Sequence, residues 1–161
     1  MELVVVILIV GIIAGVGWPS LEGWNCRQSL RNDFERFNLY MSEVKSESVN
    51  SNQPTLVNVV ISNGEAVLSS FVLDNNSCSL TDALSIEQQI PKLTLPTDTK
   101  VSALGINFQC FYPDGRAEAN SWEFKKTCAG KKYLYKNQFF GATGLYEKQQ
   151  YNYITKAWND I

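Results

Sequence analysis

Residues 1–24, MELVVVILIVGIIAGVGWPSLEGW, decide how the rest of the chain is read. From Leu3 to Trp18 every side chain is apolar or absent. As a helix this run spans ~24 Å, slightly short of a full hydrocarbon core. One acid, Glu2, stands at its edge. A carboxylate pushed into hydrocarbon costs several kcal/mol unless something neutralises it, so Glu2 calls for a partner charge. Gly11, Gly15 and Gly17 weaken a helix in water but suit apolar helices that pack closely on one another. The run is not an ordinary secretory signal, because no Lys or Arg precedes it and no small-residue cleavage motif follows. Pro19 is expected to bend or interrupt the helix.

Past Pro19 the helical pattern resumes with a different character. Leu30, Phe34, Phe37, Met41 and Val44 recur at spacings of four and three, with Arg, Asp and Glu on the other faces. The pattern fades in the polar cluster before Pro54, which predicts one helix of roughly 45–50 residues, half bare apolar rod and half amphipathic. Everything afterwards reads as strand. TLVNVVIS (55–62) and EAVLSSFVL (65–73) flank Asn63-Gly64, a strong hairpin signal. Short runs follow at Lys92–Leu95 and Val101–Leu104. GINFQCFY (105–112) and SWEFKKTC (121–128) alternate apolar and polar residues around a Pro113-Asp114-Gly115 turn. Lys131–Phe140 continues in that style, and Gly141–Gly144 turns into Leu145–Gln149. The tail from Tyr151 reads as a short helix or a packed extension. The expected fold is α+β, a long N-terminal helix packed on a C-terminal antiparallel β domain. Residues 1–24 form its transmembrane or filament-core half and 25–161 the globular part.

The composition excludes much chemistry. There is no histidine, which removes the commonest acid-base residue and metal ligand. No phosphate loop or G-x-G-x-x-G is found. Asp33 and Glu35 alternate with Arg27, Arg31 and Arg36 and read as surface ion pairs on the helix. The expectation is a non-enzyme with no cofactor, no metal and no small-molecule substrate. Cys26, Cys78, Cys110 and Cys128 lack the close pairing of zinc ligands, and an even count in a membrane-led chain fits two disulfides, with buried free thiols as the alternative. Of three connectivities, Cys110–Cys128 is favoured because each ends a strand-like run flanking one loop, which leaves Cys26–Cys78. Net charge is −2, but residues 113–161 carry eight Lys/Arg against five Asp/Glu. Lys125, Lys126, Lys131, Lys132 and Lys136 crowd together there, read as a solvated, Lys-protected hairpin or, alternatively, a phosphate-binding surface.

Glu2-Leu3, Gly11 and Pro19 fall at spacings that resemble the start of type IV pilin-like proteins. SEVKSESVNSNQPTLVNV (42–59) is similar to the helix exit and first strand of the GspH/FimT group of minor pilins and pseudopilins, and FYPDGRAEA (111–119) resembles that group's C-terminal half. The resemblance implies a subunit that assembles through its N-terminal helix into, or at the tip of, a type IV pilus or a type II secretion pseudopilus. Its partners would be other pilin or pseudopilin subunits and the bacterial inner membrane, crossed once with the C-terminal domain periplasmic. It also implies that Glu2 neutralises the N-terminal amine of a neighbouring subunit. A DNA receptor for uptake is the alternative, disfavoured because GATGLYEKQQ (141–150) lacks the arginines of that group's basic loop. The family's leader is missing ahead of Glu2, and the expectation is that the natural start lies upstream of Met1.

Overall fold

The computed structural model describes residues 2–62, 65–74, 78–80 and 90–161. Within the first twenty helical residues it describes the side chains of Val6 and Ile7 and the position of Gly11. Helix α1 runs from Glu2 to Ser51 and stays helical across position 19. Asn52 ends it by taking a left-handed backbone, φ 53°, while Gln53 N–H donates to the Ser48 carbonyl at 3.3 Å. The buried Ser48 hydroxyl lies 2.9 Å from the Gln53 carbonyl and 3.0 Å from the Phe111 carbonyl and shares its one proton between them, which fixes the helix exit against the β domain.

Among the described residues nine antiparallel strands follow: β1 (Thr55–Ser62), β2 (Glu65–Val72), β3 (Leu93–Leu95), β4 (Lys100–Ala103), β5 (Phe108–Phe111), β6 (Asn120–Cys128), β7 (Lys131–Phe139), β8 (Tyr146–Asn152) and β9 (Ala157–Asp160). They form two sheets, ordered β3-β2-β1-β5 and β4-β6-β7-β8-β9. This is the expected α+β fold. β1 and β2 pair in the register that an Asn-Gly turn predicts, Ser62 opposite Glu65, although Asn63 and Gly64 themselves lie outside the described residues. The tail is not a helix but the packed extension also expected: Ala157–Asp160 pairs with Gln149–Asn152 as a strand.

The stripe Leu30, Phe34, Phe37, Met41 and Val44 is fully buried between α1 and both sheets. Alternate residues of β6 and β7 complete the layer, with Phe34 and Phe37 edge-on to Phe124 at 5.2 and 4.8 Å. Polar ties along the helix set its rotation. Ser29 bonds Lys126, Asp33 accepts from Thr99 at 2.6 Å, Asn38 accepts from Asn137 and Glu35 pairs with Lys148 at 2.6 Å. Asp33 and Glu35 are therefore not paired with the helix arginines: the sheet lies closer to them, and Asp33 is buried.

The 105–128 region departs from the simple hairpin that its alternation suggests. Residues 113–115 do turn, with Gly115 at φ 84°, but only one bridge, Phe111 to Ala117, holds the return. The chain then leaves the first sheet, and β6 joins the second. The disulfides follow this crossing. Cys26 pairs with Cys128 and Cys78 with Cys110, which corrects both expected pairings. Cys110 and Cys128 end strands of different sheets, so flanking one loop in sequence does not make them neighbours.

The glycine turn before β8 is held tightly. Gly144 has φ 58°, its carbonyl accepts from Lys45 Nζ at 2.8 Å, and a Cβ there would overlap the Gly115 carbonyl. Gly144→Ala is expected to lower stability by about 1–3 kcal/mol, read in a denaturant melt. A loss under about 0.5 kcal/mol would mean that the two turns separate freely.

Candidate functional site

Helix α1 covers only part of the second sheet. Tyr146 of β8 packs on the core and Lys148 pairs with Glu35 of α1, while Gln150, Asn152 and Asn159 lie beside one helix flank and line open space there. Trp24, Arg27, Gln28 and Arg31 form the wall of the resulting groove, and Tyr133, Tyr135 and Gln150 its floor. The groove widens to about 830 Å³ past Tyr153, Ile154, Asn152 and Asn159, and to about 740 Å³ around Leu21, Trp24 and Ala129. These three spaces adjoin one another at Tyr133, which lines each of them.

The groove is basic and aromatic. The Arg27 guanidinium lies 5.6 Å from the centre of the Tyr133 ring, and its Nε donates to the Gly23 carbonyl. Neither Arg27 nor Arg31 meets a carboxylate among the described residues, where the ion pairs are Arg116–Asp114, Lys126–Asp98 and Lys148–Glu35. Burial raises the Tyr135 phenol above its ordinary pKa, and the charges of Arg31 and Arg27 pull it partly back. It stays a neutral hydrogen-bonding group in the groove floor at pH 7. Cys26–Cys128 clamps the groove's lower end, with Cα atoms 5.6 Å apart, and Glu35–Lys148 closes the upper end.

The lysines do not form one patch. Lys126 is 5% exposed, points between sheet and helix, and is held by Asp98 at 2.6 Å and Ser29 at 3.0 Å. Lys125, Lys132 and Lys136 lie on the outer face of the second sheet, and Lys131 sits at the β6–β7 turn. Lys136 Nζ lies over the Trp158 ring at 5.1 Å. β6 and β7 are inner strands, but β4 pairs only with Trp122–Lys125 and β8 only with Tyr135–Phe139, so Lys126, Lys131 and Lys132 sit where one side of the hairpin has no neighbouring strand. Alternation separates Lys125 from Lys126 by a whole sheet thickness, which adjacency in sequence conceals.

The N-terminal residues present a different surface. Val6 and Ile7 are 58% and 62% exposed, and among the described residues nothing lies within 4 Å of where a Cβ on Gly11 would stand. The side chains of Glu2 and Pro19 lie outside the described residues. Among the described residues no helix is long and apolar enough to cross a membrane, and none groups as metal ligands. The arginine groove escaped the sequence reading, which took Arg27 and Arg31 as halves of ion pairs. Their i, i+4 spacing without an acid three or four residues before either was the available signal. No family model, curated protein or solved structure matches this chain.

Proposed function

We propose that this chain is a pilin-like assembly subunit, a minor pilin or pseudopilin that enters a type IV pilus or type II secretion pseudopilus through its N-terminal helix. The observation that carries the reading is the division of α1. From Leu30 onward the helix has a β domain to bury its apolar stripe, whereas Val6, Ile7 and Leu21 stand exposed on the same unbroken helix. Apolar side chains left bare by their own domain need a cover from outside, either lipid or other helices. In this reading the inner membrane holds the rod first, with the β domain periplasmic, and neighbouring subunits replace the lipid on assembly. Glu2 then enters an apolar helix bundle and needs the amine of its neighbour, because a buried carboxylate without a partner costs more than the bundle returns.

Glu2→Ala in the chain expressed in its native cells tests this. A buried pair broken on one side loses about 3–5 kcal/mol, so incorporation into sheared filaments should fall at least tenfold while the membrane-held pool persists. Undiminished filament incorporation would end the reading. The DNA-receptor alternative is weaker than in sequence, with Lys126 buried and Lys136 engaged with Trp158.

A further inference from the structure

We infer that the end of the β domain at which α1 enters is a docking surface for an anionic lipid bilayer. The inference rests on the membrane-held stage of the reading above and names what the domain itself touches there. α1 meets the domain at the β6–β7 turn, where a Cβ on Gly23 would lie 3.4 Å from that of Ala129. The apolar run ends at Trp18, five residues earlier, which is ~7.5 Å of helix rise. A headgroup layer is about 5–8 Å deep on each side of the hydrocarbon. With the run in hydrocarbon, the β6–β7 turn therefore stands at the level of the lipid phosphates.

The β8–β9 turn lies at the same end. β8 is antiparallel to β7, so beyond Gln150, which faces Tyr135, it runs toward the level of Lys131. Gly130, Lys131 and Lys132 accordingly line one space with Tyr153 and Ile154. Ile154 is 93% exposed, and Tyr153, Trp24 and Leu21 are about half exposed. Four cations accompany them. Arg27, Lys131, Lys132 and Lys156 are exposed and outside every ion pair among the described residues. Arg27 and Lys131 also line the space of about 740 Å³ around Leu21 and Trp24, room for a headgroup phosphate between two positive charges. The acid on this stretch of helix, Glu22, lies about 140° round the axis from Arg27. Asp98, the acid beside this end of β6, is taken by Lys126. Apolar and aromatic side chains set among unpaired cations match an anionic leaflet, whose glycerol and acyl layer takes the first and whose phosphates take the second. At the far end of the domain Leu104 and Leu145 are also bare, but there Lys45 is held by the Gly144 carbonyl and Arg116 by Asp114.

Hydrogen–deuterium exchange of the full chain in lipid nanodiscs reads the contact. In phosphatidylglycerol discs the amides of residues 129–131 and 153–156 should exchange at least about fivefold more slowly than in phosphatidylcholine discs. Salt at about 0.5 M should erase the difference. Lys131→Glu/Lys132→Glu/Lys156→Glu should erase it too, with exchange inside β6 and β7 unchanged. Equal exchange in the two lipids, or a difference that the triple variant keeps, would overturn the inference. Should the reversed chain fail to fold, Ile154→Ser decides: lost protection supports the contact, retained protection rejects it. A chain that enters neither disc overturns the membrane stage of the assembly reading and this contact with it. One that enters both and exchanges alike overturns the contact alone.

Discussion

Replacing both Cys26 and Cys128 with serine should remove most of the stability of the β domain's grip on α1. The bridge spans 102 residues of sequence. In the chain-entropy account, a loop of that length contributes about 4.7 kcal/mol by restricting the unfolded chain. A domain of this size holds only about 5–15 kcal/mol in total, so the double variant should sit near the edge of folding. Position matters as well as loop length. The bridge lies just before Leu30, the first fully buried residue of the stripe, and at the tip of β6. Without it, the helix end that carries Trp24 and Arg27 is free to fray, and the groove loses its wall. Denaturant unfolding of the detergent-solubilised chain gives the number, and limited proteolysis near residues 20–30 gives the place. A loss under about 1 kcal/mol would mean that the unfolded chain already keeps the two ends together.

Phe37→Ala is expected to cost about 3–5 kcal/mol, the range for emptying a fully buried aromatic site. Phe37 is buried between α1 and the second sheet, with its ring 4.8 Å from Phe124 and 5.6 Å from Trp122. The surrounding rings are fixed by β6 pairing on both sides and have little freedom to collapse into the space. Leu39→Ala, two residues away on the outward side, should change stability of the isolated chain by no more than about 0.5 kcal/mol. The pair of melts therefore measures the orientation of the amphipathic half directly. Equal losses at the two positions would contradict the rotation of α1 against the sheets.

What the sequence determined by itself was everything that repeats locally. The apolar stripe from Leu30 to Val44 could be read because 3.6-residue periodicity is a property of neighbours on one helix. The β1–β2 register could be read because a two-residue turn leaves little choice of pairing. The helix end at Ser48–Pro54 was legible for the same reason. What only the tertiary structure decided were relations between distant segments. The departure of the chain from β5 to a second sheet exchanged both cysteine partners, and nothing in the spacing of Cys110 and Cys128 records which sheet each strand joins. Lys126 reads as one more surface lysine until Ser29 and Asp98, 97 and 28 residues away, close around it. Arg27 and Arg31 wall a groove only because the chain folds Tyr133, Tyr135 and Gln150, more than 100 residues away in sequence, beside them. Side-chain alternation and helical period fix which way a residue points within its own element. The element it meets is fixed by packing the whole chain.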